Sequence, residues 1–448
     1  MTKSEHEMNI LIIENVSMGT QRYHVFDKLL LTMFSILPTL HSRQLAAVTP
    51  KHHTITIINE RYTSIPFDTP YDLVMINYTT STAKRAYEIA DHYQNKKTRV
   101  VLSGMHASLL PDEAKQHADS VLIGRGETTW PQLIADAEHH QLKLMYTTTK
   151  TEYTQSLPPT NIQLPGLIIT GAIEATRGCP YTCEFCPEAT TTWGTPFTAR
   201  PVDDVINEIQ NLSQKTFMFY DASLTINPTY TKELFTKMRG LHKKFFCNGN
   251  VDILAHDEEL VRLSKEAGCV SWLIGFESIS QQTIDSIKKR TNTVTDYQKA
   301  IHNIHTHKMA VVGDFIFGFD TDTPQVFEQT LNAIKELHID VADFCILTPL
   351  PGTLLYERLE KEGRILTKDW TQYTLKHVVY QPKHMTPEQL NIGVKKMYTA
   401  FYSPLYTMKR LTKSMRLGIY PFTLLIARNM IALMNARKLS TTNDSRPQ

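Results

Sequence analysis

Along the first third of the chain, short apolar runs alternate with helical periods. The runs stand at Asn9–Ile13, Thr54–Ile58, Leu73–Asn77, Val100–Ser103 and Val121–Gly124. Between them, Ala83–Tyr93 and Thr128–Glu138 repeat apolar positions at helical spacing. This alternation predicts a parallel sheet with helical crossovers. Ligands of such sheets lie beyond the carboxyl ends of the strands, which here carry Tyr78–Thr82, Gly104–Ala107 and Gly124–Glu127. The stretch Lys143–Pro165 is polar and Thr-rich, with Pro158 and Pro159 adjacent, and predicts a linker.

A second series follows from about Ile168. Its strands are Ile173–Thr176, Thr216–Tyr220, Phe245–Asn248, Val270–Ile274, Val312–Phe317 and Val341–Leu347. Helical patterns at Val202–Leu212, Pro228–Met238, Glu258–Ala267 and Gln325–Leu337 separate them. Six β/α units are fewer than the eight of a complete TIM barrel. Beyond Leu366 the strand signal fades, and Pro387–Tyr402 predicts a helix capped by Thr386. The expected architecture is α/β: a Rossmann-like domain over 1–140, a linker over 141–165, a partial (β/α)6 barrel over 166–365, and a mostly helical extension over 366–448 that frays from Leu439 to Gln448.

Composition narrows the class. Hydrophobic residues at 42% and charged residues at 21% fit a folded globular protein and exclude a disordered one. A net charge of +2 gives no global electrostatic case for a nucleic-acid partner. The start MTKSEHE is polar and leads into a strand, so no secretory signal is expected. No apolar run reaches the roughly 18 residues needed to cross a bilayer. The expected location is the cytoplasm.

The chemistry concentrates in Thr176-Arg-Gly-Cys179-Pro-Tyr-Thr-Cys183-Glu-Phe-Cys186. The spacing is C-x3-C-x2-C, and the motif follows a predicted barrel strand, where barrel active sites lie. Thiolates suit iron–sulfur clusters or zinc. A cubane cluster takes four thiolates, so three leave one iron open to a substrate or cofactor. Zinc would want a fourth ligand. The other cysteines, Cys247, Cys269 and Cys345, are isolated, and His106 and His242 have no ligand spacing.

With Phe185 as the aromatic residue before Cys186, the motif resembles the radical S-adenosylmethionine (SAM) signature C-x3-C-x-aromatic-C. The resemblance implies a 4Fe-4S cluster on Cys179, Cys183 and Cys186. SAM would chelate the open iron and be cleaved reductively to a 5′-deoxyadenosyl radical. It also implies a reducing electron donor such as flavodoxin or ferredoxin. Phe219–Ser223, Leu273–Ser278, Asp314–Asp320 and Leu347–Thr353 end the second, fourth, fifth and sixth barrel strands, as in the family. Phe185, Asp221, Ser223, Glu277 and Asp320 are the implied SAM-binding residues. Singly, each has a plainer reading: Gly275 and Gly318 as strand-end turns, Asp320 as the cap of the helix that follows.

The amino-terminal part resembles the cobalamin-binding domain of one large radical SAM class, through Val100–Pro111 and Val121–Glu127. Tyr78, Gly104, Met105, His106 and Gly126 are the implied cobalamin-face residues, the glycines leaving room for a flat ligand. The D-x-H-x-x-G motif that places a His on cobalt elsewhere is absent: Asp91-His92 has no Gly in register. The other reading is a Rossmann-like domain kept to cover the barrel mouth. Gly318–Pro324 and His377–Pro387 resemble a subgroup that includes hopanoid carbon methylases; the magnesium-protoporphyrin ester cyclase is a more distant relative.

The resemblance implies cobalamin-dependent methylation of an unactivated carbon, on a small-molecule or lipid substrate. The alternatives are a radical SAM cyclase, coupling or rearrangement enzyme, and a non-catalytic metal-binding scaffold. Phe219, Trp272 and Phe344, expected at the barrel mouth, do not distinguish lipid from tetrapyrrole or peptide. Met408–Leu417 is basic and Ile419–Met434 largely apolar; this tail reads either as a peripheral membrane contact or as helices packed on the barrel. After anaerobic iron–sulfur reconstitution, the protein is expected to form 5′-deoxyadenosine from SAM and dithionite, and Cys183→Ser to abolish it. Equal yields from both proteins refute the cluster assignment.

Overall fold

A computed structural model of the chain describes residues 7–14, 40–60, 63–148, 170–191 and 194–441. The first domain is a six-stranded parallel sheet: β1 (Asn9–Glu14), β2 (Thr54–Asn59), β3 (Leu73–Asn77), β4 (Arg99–Ser103), β5 (Ser120–Ile123) and β6 (Met145–Thr147), in the order β2-β1-β3-β4-β5-β6. Successive residues of a strand point to opposite faces. Leu11, Val74, Leu102 and Val121 accordingly feed one core, while Ile12, Met75, Val101 and Leu122 feed the other. The order reverses between β1 and β3, the position where doubly wound sheets open a ligand crevice.

β6 corrects the expected domain boundary. Met145–Thr147 falls inside the predicted linker, yet it pairs with β5 from Val121↔Met145 to Ile123↔Thr147. A three-residue edge strand in polar surroundings has too few alternations to show in the sequence. The rest of the expected linker, from residue 149, and the expected frayed end beyond Thr441 lie outside the described residues.

The second sheet is built from β7 (Thr170–Ile173), β10 (Thr216–Phe219), β11 (Lys244–Asn248), β12 (Cys269–Glu277), β13 (Ala310–Phe317) and β14 (Val341–Ile346), all parallel and in chain order. A short antiparallel pair, β8 (Thr176–Arg177) with β9 (Thr198–Ala199), brackets the cysteine motif at the mouth. Phe219, Trp272 and Phe344 are fully buried in the core that includes Leu234, Ile301 and Ile334 of the surrounding helices. They face away from the barrel interior, so the expectation that they line the mouth is corrected: each sits on the outward phase of its strand.

The barrel is open, and its edge is closed by side chains. The Tyr402 hydroxyl accepts from Ala342 N at 3.2 Å and donates to Ala342 O at 2.7 Å, and the Tyr398 hydroxyl accepts from Phe344 N at 3.2 Å. These satisfy backbone groups of β14 that an edge strand leaves exposed to association. Both tyrosines belong to or end the Pro387–Phe401 helix, whose N-cap is Thr386, as expected, in a capping box with Gln389. Farther on, Leu425 of the Ile419–Thr441 helix packs with Ala310, Val312 and Val341, so this helix lies on the barrel. Among the described residues no helix is long and apolar enough to cross a membrane.

A buried ionic network joins the two sheets. Arg177 Nη2 meets Glu127 Oε1 at 2.6 Å and Arg177 Nε meets Glu174 Oε2 at 2.7 Å; Arg125 Nη1 meets Glu174 Oε1 at 2.6 Å. Gln44 Nε2 adds a hydrogen bond to Glu174 at 3.1 Å. Burial by itself would raise the Glu174 carboxyl, but Arg177 and Arg125 overcome it and hold the group down at about 2. Removing one partner from such a network strands the opposite charges. Arg177→Ala is therefore expected to destabilise the protein by about 3 kcal/mol in urea unfolding. A loss below about 1 kcal/mol, the range of a solvent-exposed pair, refutes this account.

Candidate active site

The cysteine loop begins on a residue that must be glycine. Gly178 has φ +76°, and a Cβ there would collide with the Pro196 carbonyl. Its two ends are drawn together by Cys179 N–H donating to Gly194 O at 2.7 Å, and Cys186 N–H donates to Cys183 O at 3.1 Å. The residues between the last two cysteines clamp the loop to the wall. Glu184 pairs with Arg358 at 2.8 Å, its carbonyl accepts from Leu355 N at 2.9 Å, and Phe185 packs against the cluster of Ile284, Phe319 and Leu355. Cys179, Cys183 and Cys186 remain partly exposed.

Burial raises all three thiols, Cys186 to about 11, while the Lys289 ammonium opposes the rise at Cys179 and Cys183. Such thiols ionise when a cation takes the proton's place. Lys289 is anchored by Glu277 at 2.6 Å. Glu277 itself sits at φ +60°, in the left-handed region that non-glycine residues avoid. Its surroundings enforce this: Tyr297 Oη contacts the carbonyls of Phe276 and Ser278 at 2.9 Å, and Asn292 Nδ2 those of Gly275 and Phe276 at 2.9 and 3.1 Å. Such a conformation persists only where the surroundings over-determine it.

The other expected SAM-shell residues divide. Asp221 is buried and accepts from Thr176 Oγ1 at 2.6 Å and from Ala175 N at 3.3 Å, tying β10 to the root of the cysteine loop. Burial outweighs these hydrogen bonds and lifts its carboxyl to about 7. Ser223 lies close by, its hydroxyl 3.0 Å from Thr225 Oγ1. Asp320 is gripped by Arg358 and Arg364, each at 2.7 Å, and since Arg358 also holds Glu184 this carboxylate straps the cysteine loop. The helix-cap reading of Asp320 is corrected, because Asp322 closes the turn by accepting from Gly318 N and Phe319 N at 2.9 and 3.1 Å.

On the first domain, Tyr78 and His106 are 2% and 0% exposed. Tyr78 Oη donates to Tyr87 at 3.3 Å, Tyr87 to Glu113 at 2.9 Å, and His106 lies 3.3 Å from the same carboxylate. Trp370 Nε1 donates to Glu113 at 3.0 Å and closes the network. The structure thus places both residues in a buried brace instead of on an open ligand face. Gly104, Met105 and Gly126 stand at the carboxyl edge, but the expected reason for the glycines is corrected. A Cβ on Gly104 would strike Asn77 and Tyr78, and one on Gly126 would lie 2.7 Å from Leu122 Cδ2, so the missing side chains face protein.

A family model described as the radical SAM superfamily matches residues 173–334, and a domain of unknown function, DUF4070, matches residues 353–433. Bacteriochlorophyllide d C-12(1)-methyltransferase of Chlorobaculum tepidum is 32% identical over 82% of this chain and 83% of its own. The same organism's C-8(2)-methyltransferase is 28% identical over 80% and 84%. The chain belongs to the radical SAM superfamily. Its fold is that of TsrM from Kitasatospora setae, a structure described with cobalamin and a [4Fe-4S] cluster: TM-score 0.71, 12% identity, over 97% of this chain and 100% of that one.

For this radical SAM enzyme the donor set fits its cofactors. Three partly exposed thiols at the family spacing are a donor set that suits a 4Fe-4S cluster with one open iron, beside strand ends where SAM would fit. At the two carboxyl edges, buried polar atoms lack hydrogen-bond partners among the described residues: Asn248 Oδ1, Glu188 Oε2 and Arg125 Nε. Such atoms call for a ligand or water. A second cluster of metal-ligating side chains, His52, His53 and Glu138, does not fit a metal. His53 Nδ1 accepts from Met8 N at 3.2 Å, which leaves the proton on Nε2, where it faces Glu138 at 3.1 Å.

Sequence reasoning missed Lys289 because Lys288-Lys289-Arg290 reads as a solvated basic run. It missed Asp314 and Asp343, register partners on β13 and β14, although a charge inside an apolar strand was a usable signal. Burial, then Asp343 and Glu277, raises Asp314 to about 8. It also missed Glu14, which is fully buried at the end of β1 and raised by burial to about 8, with Ser42 and Arg43 pulling the other way. Folded Glu14 keeps its proton to about pH 8, whereas the unfolded chain releases it near 4.5. The native state therefore loses stability as pH rises through that window. Glu14→Gln is expected to have a higher thermal midpoint than the parent at pH 8 and the same midpoint below pH 4.5. A midpoint at pH 8 equal to or below the parent's refutes the assignment.

Proposed function

We propose that this enzyme is a cobalamin-dependent C-methyltransferase. The observation that carries the reading is the meeting of two carboxyl edges: the cysteine loop and its strand ends on one side, the β1/β3 crevice of a doubly wound sheet on the other, locked together through Arg177 and Arg125. Similarity to two methyltransferases over 80% or more of each chain supports it. Their named substrates make a bacteriochlorophyllide the first substrate to try, in preference to a hopanoid lipid.

Cys179, Cys183 and Cys186 hold the cluster. Lys289 lends positive charge beside it, and Glu277 fixes Lys289. Ser223, Glu277 and the strand end around Asp221 form the wall for SAM, while Asp320 and Phe185 keep the loop from shifting. Met105 and the Gly124–Glu127 turn present the cobalamin edge, and Glu14 offers a protonated carboxyl near Tyr220, whose hydroxyl is raised chiefly by burial. When bound, cobalamin supplies the methyl group and SAM the radical. The buried walls exclude the water that would quench it. A low-potential donor such as flavodoxin or ferredoxin delivers the electron, which places the enzyme in a reducing cytoplasm.

The test is turnover of bacteriochlorophyllide by enzyme reconstituted with iron, sulfide and hydroxocobalamin, using SAM labelled in its methyl group. The expected product gains one labelled methylene. A product of unchanged mass, or one that has lost hydrogen, refutes methyl transfer and indicates the cyclase or rearrangement class.

A further inference from the structure

From Gln389 to Asn443 the chain carries nine lysines and arginines and no aspartate or glutamate, within a protein of net charge only +2. This stretch falls largely in the region matched by the domain of unknown function. It forms the helices beneath the barrel. Their inward side is fixed: the Arg410 guanidinium lies 3.8 Å from the Phe401 ring and donates to Asp340 O at 2.6 Å, and Ser414 donates to the Asp340 carboxylate at 2.9 Å. Asp340 immediately precedes β14, so this is the amino-terminal end of the barrel, opposite the cysteine loop.

With Arg410 and Ser414 turned in, the outward side of the Pro404–Ser414 helix and the turn after it is set by helical spacing. It presents Leu405, Met408 and Met415 at 64%, 61% and 61% exposure, followed beyond Gly418 by Ile419 and Tyr420 at 76% and 58%. Lys409, Lys413 and Arg416 are interleaved with them, and Lys244 lies 5.2 Å from the Tyr420 ring. Beside this face opens a cavity of about 240 Å³ lined by Lys335, His338, Lys409, Lys413 and Arg416. Among the described residues none of Lys335, Lys409, Lys413 and Arg416 forms an ion pair. The cavity's carboxylate, Asp340, is already engaged by His305 at 2.8 Å, Val311 N at 2.9 Å and Ser414. Burial, then the charge of Lys413, holds His338 below its ordinary value.

The geometry points to this floor as a docking surface for an anionic bilayer, with the cavity taking a lipid phosphate. Exposed Leu, Met, Ile and Tyr side chains enter the headgroup boundary while the flanking lysines and arginine meet anionic lipid. A second copy of the chain is the wrong occupant, because a two-fold contact would press this predominantly basic face onto itself. Docking by the floor leaves the opposite, cofactor-bearing mouth free. The inference does not depend on which reaction the site performs.

The test is co-sedimentation of the full-length reconstituted enzyme with vesicles of phosphatidylcholine alone or mixed with phosphatidylglycerol, at low and high salt. Parallel samples are run for SAM cleavage and size-exclusion elution. Binding is expected only with phosphatidylglycerol, and it weakens as salt rises. Lys409→Glu/Lys413→Glu/Arg416→Glu is expected to weaken it at least about 100-fold. Met408→Ser/Ile419→Ser is expected to weaken it by about 10-fold or more. All these positions are exposed, so SAM cleavage is expected unchanged. The proposal is overturned if the parent stays unbound with anionic vesicles, or if the triple variant binds as the parent does. It is equally overturned if the parent elutes as a dimer that the Ser pair dissociates. Vesicle binding without methyl transfer would sink the functional reading and leave this one standing.

Discussion

Arg177 stands two residues before Cys179 and bonds to carboxylates from both halves of the molecule, Glu127 and Glu174. Arg125 returns the contact from the first domain. Charges removed from water in this way are costly unless each is matched, so the network tolerates one relative placement of the two sheets. That placement sets everything in the cleft: which strand ends face the cysteine loop, which polar atoms are left without partners, and how far Glu14 stands from Tyr220. Two parallel sheets each put their ligand-bearing loops at one end; the ionic lock turns those two ends toward one another.

Around the lock, residues that look catalytic by type divide into those held open and those consumed by structure. Asp320, Tyr78 and His106 all sit at strand ends where a ligand is expected, and each is committed to protein partners. Asp320 bridges Arg358 and Arg364 because the cysteine loop needs a rigid support. His106 shares Glu113 with Trp370, and Tyr78 reaches it through Tyr87, which ties the carboxyl-terminal extension to the first domain. By contrast Glu277 is held in a strained backbone conformation beside the thiols, by Tyr297 and Asn292 on one side and Lys289 on the other. That strained conformation persists because several independent contacts enforce it.

The two ends of the barrel carry different chemistry. At the mouth, opposite charges are paired at short range and buried. At the floor, four cations lack ion-pair partners among the described residues and lie among exposed apolar side chains. The helix between these ends, Pro387–Phe401, lends its tyrosines to the open strand β14, so one extension both completes the barrel and displays the basic face.

The sequence by itself determined the two parallel sheets, nearly every strand, the Thr386 cap and the spacing of the three candidate cluster thiols. The cysteines are legible because ligand spacing is a local property: three thiols within eight residues meet in almost any loop. The strands are legible because two-residue alternation is local as well. Contacts between segments far apart in the chain were not legible. Met145–Thr147 is a strand only because β5 offers it an edge. Lys289 belongs to the site only because Glu277 reaches it across a turn, and Phe219, Trp272 and Phe344 leave the mouth because helices cover that side of their strands. Gly104 and Gly126 were located correctly and explained wrongly, since what a missing side chain makes room for is known only once its neighbours are in place. Local pattern fixes the backbone's route; which side chains are free to act is decided by partners that only tertiary packing supplies.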